Sequence, residues 1–242
     1  MTAHETSADA ELVRDENEPR PPSRFGAVQR FVLIYLAIAG TMTVLGLLGR
    51  LFVFDSAIGE AELDFMGWIA DNRVGWLDTV AKTGSSFSDT WTVIGVMVGA
   101  ITMLWAAGHG RHAALVLFAV GLEFGSFLLV GAIIDRARPP VETLTSVPST
   151  PSFPSGHVAA AFVLYGTLAL CARSLNPKVP AWVWGFPIFI GLLVAFARLY
   201  EGVHYPTDVT GGYLLGVLAL FGAALATGLL DPEVERRLPW RR

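Results

Sequence analysis

The sequence predicts an all-α integral membrane protein: a six-transmembrane-helix bundle with short interfacial helices between the first and second spans. Three observations predict it. Hydrophobic residues fill 53% of the 242 positions and charged residues only 16%, whereas a soluble domain carries about 25% charged residues. Mean hydropathy is +0.52. Six apolar stretches follow one another along the chain, most of them close to the length of about 20 residues that a bilayer-crossing helix requires. Too little polar side chain is present to cover a water-facing surface.

The elements follow in order. Residues 1–27 are polar and acidic, with Asp15-Glu16-Asn17-Glu18-Pro19 and Pro21-Pro22, and are predicted to form a disordered tail. They lack the basic start and early apolar run of a secretory signal. The spans are predicted at about 31–53, 91–107, 113–134, 158–173, 181–198 and 208–230, within a membrane domain of residues 28–230. A basic tail of residues 231–242 closes the chain. In residues 55–90, Phe65, Met66, Trp68, Trp76 and Leu77 alternate with Asp64, Asp71, Arg73, Asp78 and Lys82. That pattern predicts one or two helices lying at the interface, with Trp at headgroup depth. The spacings Gly95-x3-Gly99 and Gly212-x3-Gly216 would allow close helix approach.

Charge excludes some function classes and orients the chain. A net charge of −4 supplies no basic face for nucleic acid. The single Cys171 forms neither an internal disulfide nor a zinc cluster. Six spans put both termini on one side, with eleven of the 17 Lys and Arg residues there and six on the other. By the positive-inside rule the termini are expected in the cytoplasm of a plasma-membrane protein. The loops at 135–157 and 199–207 then face outward.

Three polar clusters fall on that outer side: Asp135-Arg136-Ala137-Arg138-Pro139-Pro140, Phe153-Pro154-Ser155-Gly156-His157, and the run from Arg198 through His204 to Asp208. Ionisable groups at membrane depth are expensive, so their gathering at span ends points to a site. Arg138 and Arg198 offer planar forks suited to phosphate oxygens. Ser155 and Gly156 precede an apolar helix whose first N–H groups are free to bind an anion. His157 and His204 offer a nucleophile and an acid. Asp208, four residues after His204, is placed to receive an imidazole N–H and fix its tautomer. Each residue alone also fits a plainer role, such as Arg138 snorkelling to headgroups or Asp208 complementing a helix dipole. Glu123 falls near the middle of the third span, half a bilayer from these clusters, and is read as a neutral or hydrogen-bonded carboxyl facing another helix.

Arg138-Pro139, Pro154-Ser155-Gly156-His157 and Arg198-x5-His204-x3-Asp208 resemble the three signature motifs of the type 2 phosphatidic acid phosphatase family. This superfamily also holds bacterial lipid phosphatases and vanadium haloperoxidases. The resemblance covers about residues 80–215, and three motifs in order form a specific signal. It implies that His204 attacks phosphorus and becomes a phosphohistidine, that Asp208 orients it, and that His157 protonates the leaving oxygen. It further implies that Arg138, Arg198, Ser155 and the Gly156 N–H hold the phosphate oxygens, and that no metal or other cofactor is required. Two departures stand out. The lysine that usually opens the first motif is Gly131 here, and the third motif begins Ala197-Arg198 rather than Ser-Arg. Arg136, or Lys82, is the expected substitute for the missing phosphate-binding cation.

The expected partner is a lipid phosphate drawn from the membrane, of the undecaprenyl pyrophosphate, phosphatidate or phosphatidylglycerophosphate class. Three alternatives stay open: transfer of the phosphoryl group to an acceptor other than water, a non-catalytic polytopic protein or transporter, and an inactive member of the family, which Gly131 favours. Oligomeric state is unread, a homodimer included.

Overall fold

The computed structural model describes residues 24–229. The tail expected at 231–242 and residues 1–23 of the tail expected at 1–27 lie outside the described residues; residues 24–27 belong to the first helix instead of a disordered tail. The described chain is helical and contains no strand. Helix α1 spans Arg24–Phe52, α2 Ala57–Asp71, α3 Gly75–Ser86, α4 Thr90–Ala106, α5 Gly110–Ile134, α6 Gly156–Leu175, α7 Gly185–Tyr200 and α8 Pro206–Ala226, with a short 3-10 turn at Ala181–Trp184 leading into α7. Five segments are long and apolar enough to cross a membrane. A sixth span exists if α3 and α4, which meet at a 42° bend, are taken together. The expected bundle is therefore present, with one refinement. α4 alone is 17 residues long, and α3 continues into it as the near half of a bent pair instead of standing apart.

Local chemistry sets the element ends that matter. Ser56 caps α2 by accepting from the Ile58 N–H at 3.2 Å, which satisfies one of the orphan donors of the first turn. α2 turns Glu62 and Met66 inward and leaves Phe65 and Trp68 exposed, the division expected of a helix lying at an interface. α5 stops at Asp135, which sits in the left-handed region with φ 47° and ψ 46°, a conformation that short polar side chains tolerate. Pro139 and Pro140 then forbid further helix. α7 ends through Gly202 at φ 80°, a backbone region that favours glycine. α8 starts with Pro206 in its first turn, where the missing N–H has no consequence.

The core lies where α5, α6 and α8 meet, with α1 and α4 against α5 and with α7 against α6 and α3. Met42, Leu115, Leu122, Ile134, Val163 and Leu215 fill its centre. The two glycine pairs behave differently. A Cβ at Gly212 would lie 2.4 Å from the Ser155 carbonyl oxygen, and one at Gly216 would lie 3.0 Å from the Ala159 carbonyl oxygen. These glycines let α8 press directly on the backbone of α6. At Gly95 and Gly99 an added Cβ meets nothing within 4 Å, so that pair packs no helix in the described chain.

The Arg and Lys residues sort to two ends of the bundle. Arg73 donates to the Tyr200 and Glu142 carbonyls, beside Arg136, Arg138 and Arg198. At the other end Arg111 donates to the Thr227 carbonyl and Arg173 to the Val179 carbonyl.

Gly212→Ala is expected to destabilise the fold by about 1–3 kcal/mol through overpacking against the α6 backbone. Gly95→Ala should be neutral or stabilising by up to about 1 kcal/mol from helix propensity. Thermal unfolding of both variants in detergent checks this contrast.

Candidate active site

Three loops and two helix starts converge at one end of the bundle. The turn after α5 brings Arg136 and Arg138, the segment before α6 brings Ser152 and Ser155, and the turn between α7 and α8 brings His204. Backbone contacts lock them together: the Ser155 N–H donates to the Asp208 carbonyl at 2.9 Å, and the Ser152 N–H donates to the Arg136 carbonyl at 2.8 Å. The Phe153–Pro154 peptide is cis. Gly156 is required by contact, since a Cβ there would lie 2.9 Å from the Phe127 ring.

His204 is 2% exposed and is held from both sides. Arg138 Nη1 lies 3.3 Å from His204 Nε2. A guanidinium only donates, so Nε2 is the acceptor and the proton sits on Nδ1. Nδ1 faces Ser152 Oγ at 3.5 Å and Asp208 Oδ2 at 3.7 Å. Ser152 Oγ in turn donates to Asp208 Oδ2 at 2.5 Å. The serine hydroxyl therefore bridges the imidazole and a carboxylate that stands just beyond hydrogen-bond length. Burial holds the His204 pKa down, to about 4, although Asp208 pulls it upward. The imidazole is neutral at physiological pH with its Nε2 lone pair available.

Arg138 is fixed by the loops themselves. Its Nη1 donates to the Val203 carbonyl at 2.7 Å and its Nε to the Thr150 carbonyl at 3.0 Å. Burial first, and Arg198 second, press its pKa down to about 10, which leaves it charged at neutral pH. His157, at the start of α6, has its Nε2 3.6 Å from Asp89 Oδ1, an ion-pair distance when the imidazole is protonated.

Arg138, Gly156, His157 and His204 share one cavity of about 680 Å³. Beyond them the cavity is apolar, lined by Met97, Leu117, Phe124 and Leu128 of α4 and α5. Glu123 belongs to the same wall. It lies one helical turn before Phe127, the residue packed on Gly156, which is about 6 Å along the axis. It therefore shares the cavity with the site residues while lying about 18 Å along α5 from Asp135.

The remaining expected residues are placed differently. Asp208 is fully buried behind His204. Arg198 is buried, and its Nη1 donates to Glu201 Oε2 at 2.7 Å and to Ser85 Oγ at 2.8 Å. Its charge acts on His204 from behind the cavity wall. The Ser155 hydroxyl is buried with no partner among the described residues. Its N–H is taken by Asp208, so within this segment Gly156 is the member that borders the cavity. Lys82 is exposed on α3 and is not part of the cavity lining.

Arg136 is a correction. It does not line the cavity. Its Nη1 donates to Asp208 Oδ1 at 2.6 Å and to Thr207 Oγ1 at 2.7 Å, and its Nη2 donates to Glu62 Oε2 at 3.0 Å. The guanidinium also stacks 3.8 Å from the Phe54 ring and 4.1 Å from the Tyr205 ring. Two carboxylates and two rings occupy it, so it is not free to replace the missing lysine as a phosphate ligand. Position 131 is buried beside the 151–153 loop, where a Cβ would meet the Phe153 carbonyl oxygen at 3.8 Å.

The sequence reading missed Ser152, Glu62 and Asp89. The Ser-Asp-Thr run at 88–90 carried a helix-cap signal for Asp89. No local pattern marked Ser152 or Glu62. Among the described residues no three His, Cys, Asp or Glu side chains form a group able to hold a metal.

The chain resembles known proteins. The profile of the PAP2 superfamily matches residues 112–229. An undecaprenyl-diphosphatase of Sulfolobus acidocaldarius is 40% identical over 77 residues, 32% of this chain and 34% of its own length. Undecaprenyl-diphosphatase BcrC of Bacillus subtilis is 30% identical over 141 residues, 54% of this chain and 68% of its own. Among solved structures, the first transmembrane PAP2 type phosphatidylglycerolphosphate phosphatase from Bacillus subtilis aligns with a TM-score of 0.68 and 25% identity, covering 88% of this chain and 98% of that one.

A folded-state pKa below the ordinary value of about 6.5 means that the unfolded chain binds the proton first as pH falls. His204 is therefore expected to contribute to acid destabilisation between about pH 6.5 and 4. Imidazole-selective 15N NMR in detergent should find it neutral, with the proton on Nδ1, down to about pH 4. A midpoint near 6.5 would contradict the geometry.

Proposed function

Because the chain belongs to the PAP2 superfamily, we propose that it is a membrane lipid phosphatase working through a phosphohistidine at His204. One observation carries this reading. A neutral imidazole, with Nε2 beside Arg138 and Nδ1 backed by Ser152 and Asp208, stands at the polar end of a mainly apolar cavity. Such a cavity suits a phosphate headgroup that carries a long hydrocarbon tail.

The chemistry proceeds in two displacements. The Nε2 lone pair of His204 attacks phosphorus, and the bond from phosphorus to the lipid or bridging oxygen breaks. Protonated His157 supplies the proton to that leaving oxygen. As His204 becomes cationic, Ser152 and Asp208 stabilise the charge developing on its Nδ1 side. Water then attacks the phosphoryl group, His157 takes the water proton, the P–N bond breaks, and inorganic phosphate leaves. Arg138 bears directly on the phosphoryl oxygens, the first-turn N–H groups of α6 from Gly156 onward assist, and the buried Arg198 charge supports the field. These groups give the positive field without a metal ligand set.

Undecaprenyl pyrophosphate is the favoured substrate class, since two of the similar proteins are named for that activity. Phosphatidylglycerophosphate is the second, favoured by the similar structure. The eleven-to-six division of Lys and Arg between the two ends favours an extracytoplasmic site with cytoplasmic termini.

Phosphate release from a panel of polyprenyl pyrophosphates, phosphatidate and phosphatidylglycerophosphate tests the reading. The wild type is expected to release phosphate equally with and without EDTA, and His204→Ala to lose at least about 1,000-fold in turnover. A wild type silent on the whole panel, or loss of turnover with EDTA, would overturn it.

A further inference from the structure

We propose that Glu62 and Arg136 are positioning residues that aim His204 by holding the Asp208 carboxylate, which makes the interfacial helix α2 part of the active site. The proposal rests on the phosphatase reading for its readout but not for its geometry.

The Asp208 carboxylate has two oxygens with separate duties. Oδ1 receives Arg136 Nη1 at 2.6 Å. Oδ2 receives Ser152 Oγ at 2.5 Å and the Tyr205 N–H at 2.8 Å, and it is the oxygen nearest His204 Nδ1. The guanidinium thus fixes the rotation of the carboxylate, so that Oδ2 stays on the side of Ser152 and the imidazole. Arg136 is itself fixed by Glu62, whose Oε2 takes Nη2 at 3.0 Å. The same Glu62 receives the Thr207 N–H on Oε1 at 2.6 Å and the Thr207 hydroxyl on Oε2 at 2.8 Å. It therefore grips both the arginine and the first turn of α8, the turn that carries Asp208.

Burial makes the arrangement specific. Glu62 and the Arg136 side chain are each 7% exposed and Asp208 is fully buried. A guanidinium between two buried carboxylates leaves one net negative charge, which falls on the His204 side through Oδ2. This charge balances the imidazolium formed when Nε2 attacks. Glu62 lies outside residues 112–229, the stretch matched by the superfamily profile. It enters from a helix whose other face exposes Phe65 and Trp68. In metal sites, groups that orient a ligating side chain from behind change affinity or activity by about 10- to 100-fold when altered, and the same order is expected for an orienting pair here.

The test uses the full chain in detergent, with radiolabelled phosphate release sensitive enough for slow variants. Glu62→Gln is expected to lower kcat by about 10- to 100-fold while KM stays within about twofold, since neither residue borders the cavity. Arg136→Lys, which keeps the charge but has no second nitrogen for Glu62, should reproduce that loss. In an Asp208→Asn background Glu62→Gln should cost less than about twofold more, because its route to His204 is already cut. Losses that multiply in the double variant, an unchanged kcat in Glu62→Gln, or failure of both single variants to fold would overturn the proposal. Absence of turnover in the wild type would instead sink the phosphatase reading, and the effect of Glu62→Gln on the His204 15N resonances would then decide the positioning role: shifted Nδ1 and Nε2 signals support it, unchanged ones overturn it.

Discussion

A fully buried carboxylate constrains this whole end of the molecule. Asp208 has no access to solvent, and an ionised carboxylate so placed is tolerable only when its lone pairs are filled. Removing one partner of such a buried pair costs about 3–5 kcal/mol. Its partners come from everywhere: Arg136 after α5, Ser152 before α6, the Tyr205 N–H at the start of α8. Satisfying one charge therefore draws three loops to a point. His204, Arg138 and the α6 start are held where those loops meet. The glycines of α8 permit it, because a side chain at Gly212 would push the 152–155 segment away.

The electrostatics divide the labour between two arginines that are neighbours in sequence. Arg138 faces the cavity and touches the Nε2 side of His204, while Arg136 faces away and works on the Nδ1 side through Asp208. Two residues apart, they act on opposite sides of one imidazole. The ring is thereby given a fixed tautomer and a fixed direction, and burial gives it a low basicity. Those properties suit an attacking nitrogen better than a proton carrier.

Much of this was legible in the sequence because it depends on short-range facts. Apolar runs gave the spans, and the polar turns at their ends gave Arg138, His157, His204 and Asp208 as one cluster. Three things were not legible. The partner of Arg136 lies 74 residues away on α2 and that of Asp208 lies 56 residues away at Ser152, and neither separation leaves a periodic trace. Arg136 therefore read as a phosphate ligand when it serves the carboxylate. That Glu123 lines the same cavity as His157 and His204 was hidden because span ends do not reveal how far a cavity reaches between helices. Gly95 and Gly99 have the spacing of a packing motif, but among the described residues nothing lies within 4 Å of where their Cβ atoms would be, since spacing records opportunity and not contact.

Catalysis through a phosphohistidine requires that His204 Nε2 form a bond to phosphorus. The direct measurement is to mix the protein with lipid phosphate labelled at the transferred phosphoryl group, quench in alkali within one turnover, and map the label by peptide mass spectrometry. An alkali-stable, acid-labile label is expected on His204 and is absent from His204→Ala. A label on another residue, or turnover with no labelled protein at any quench time, would contradict it.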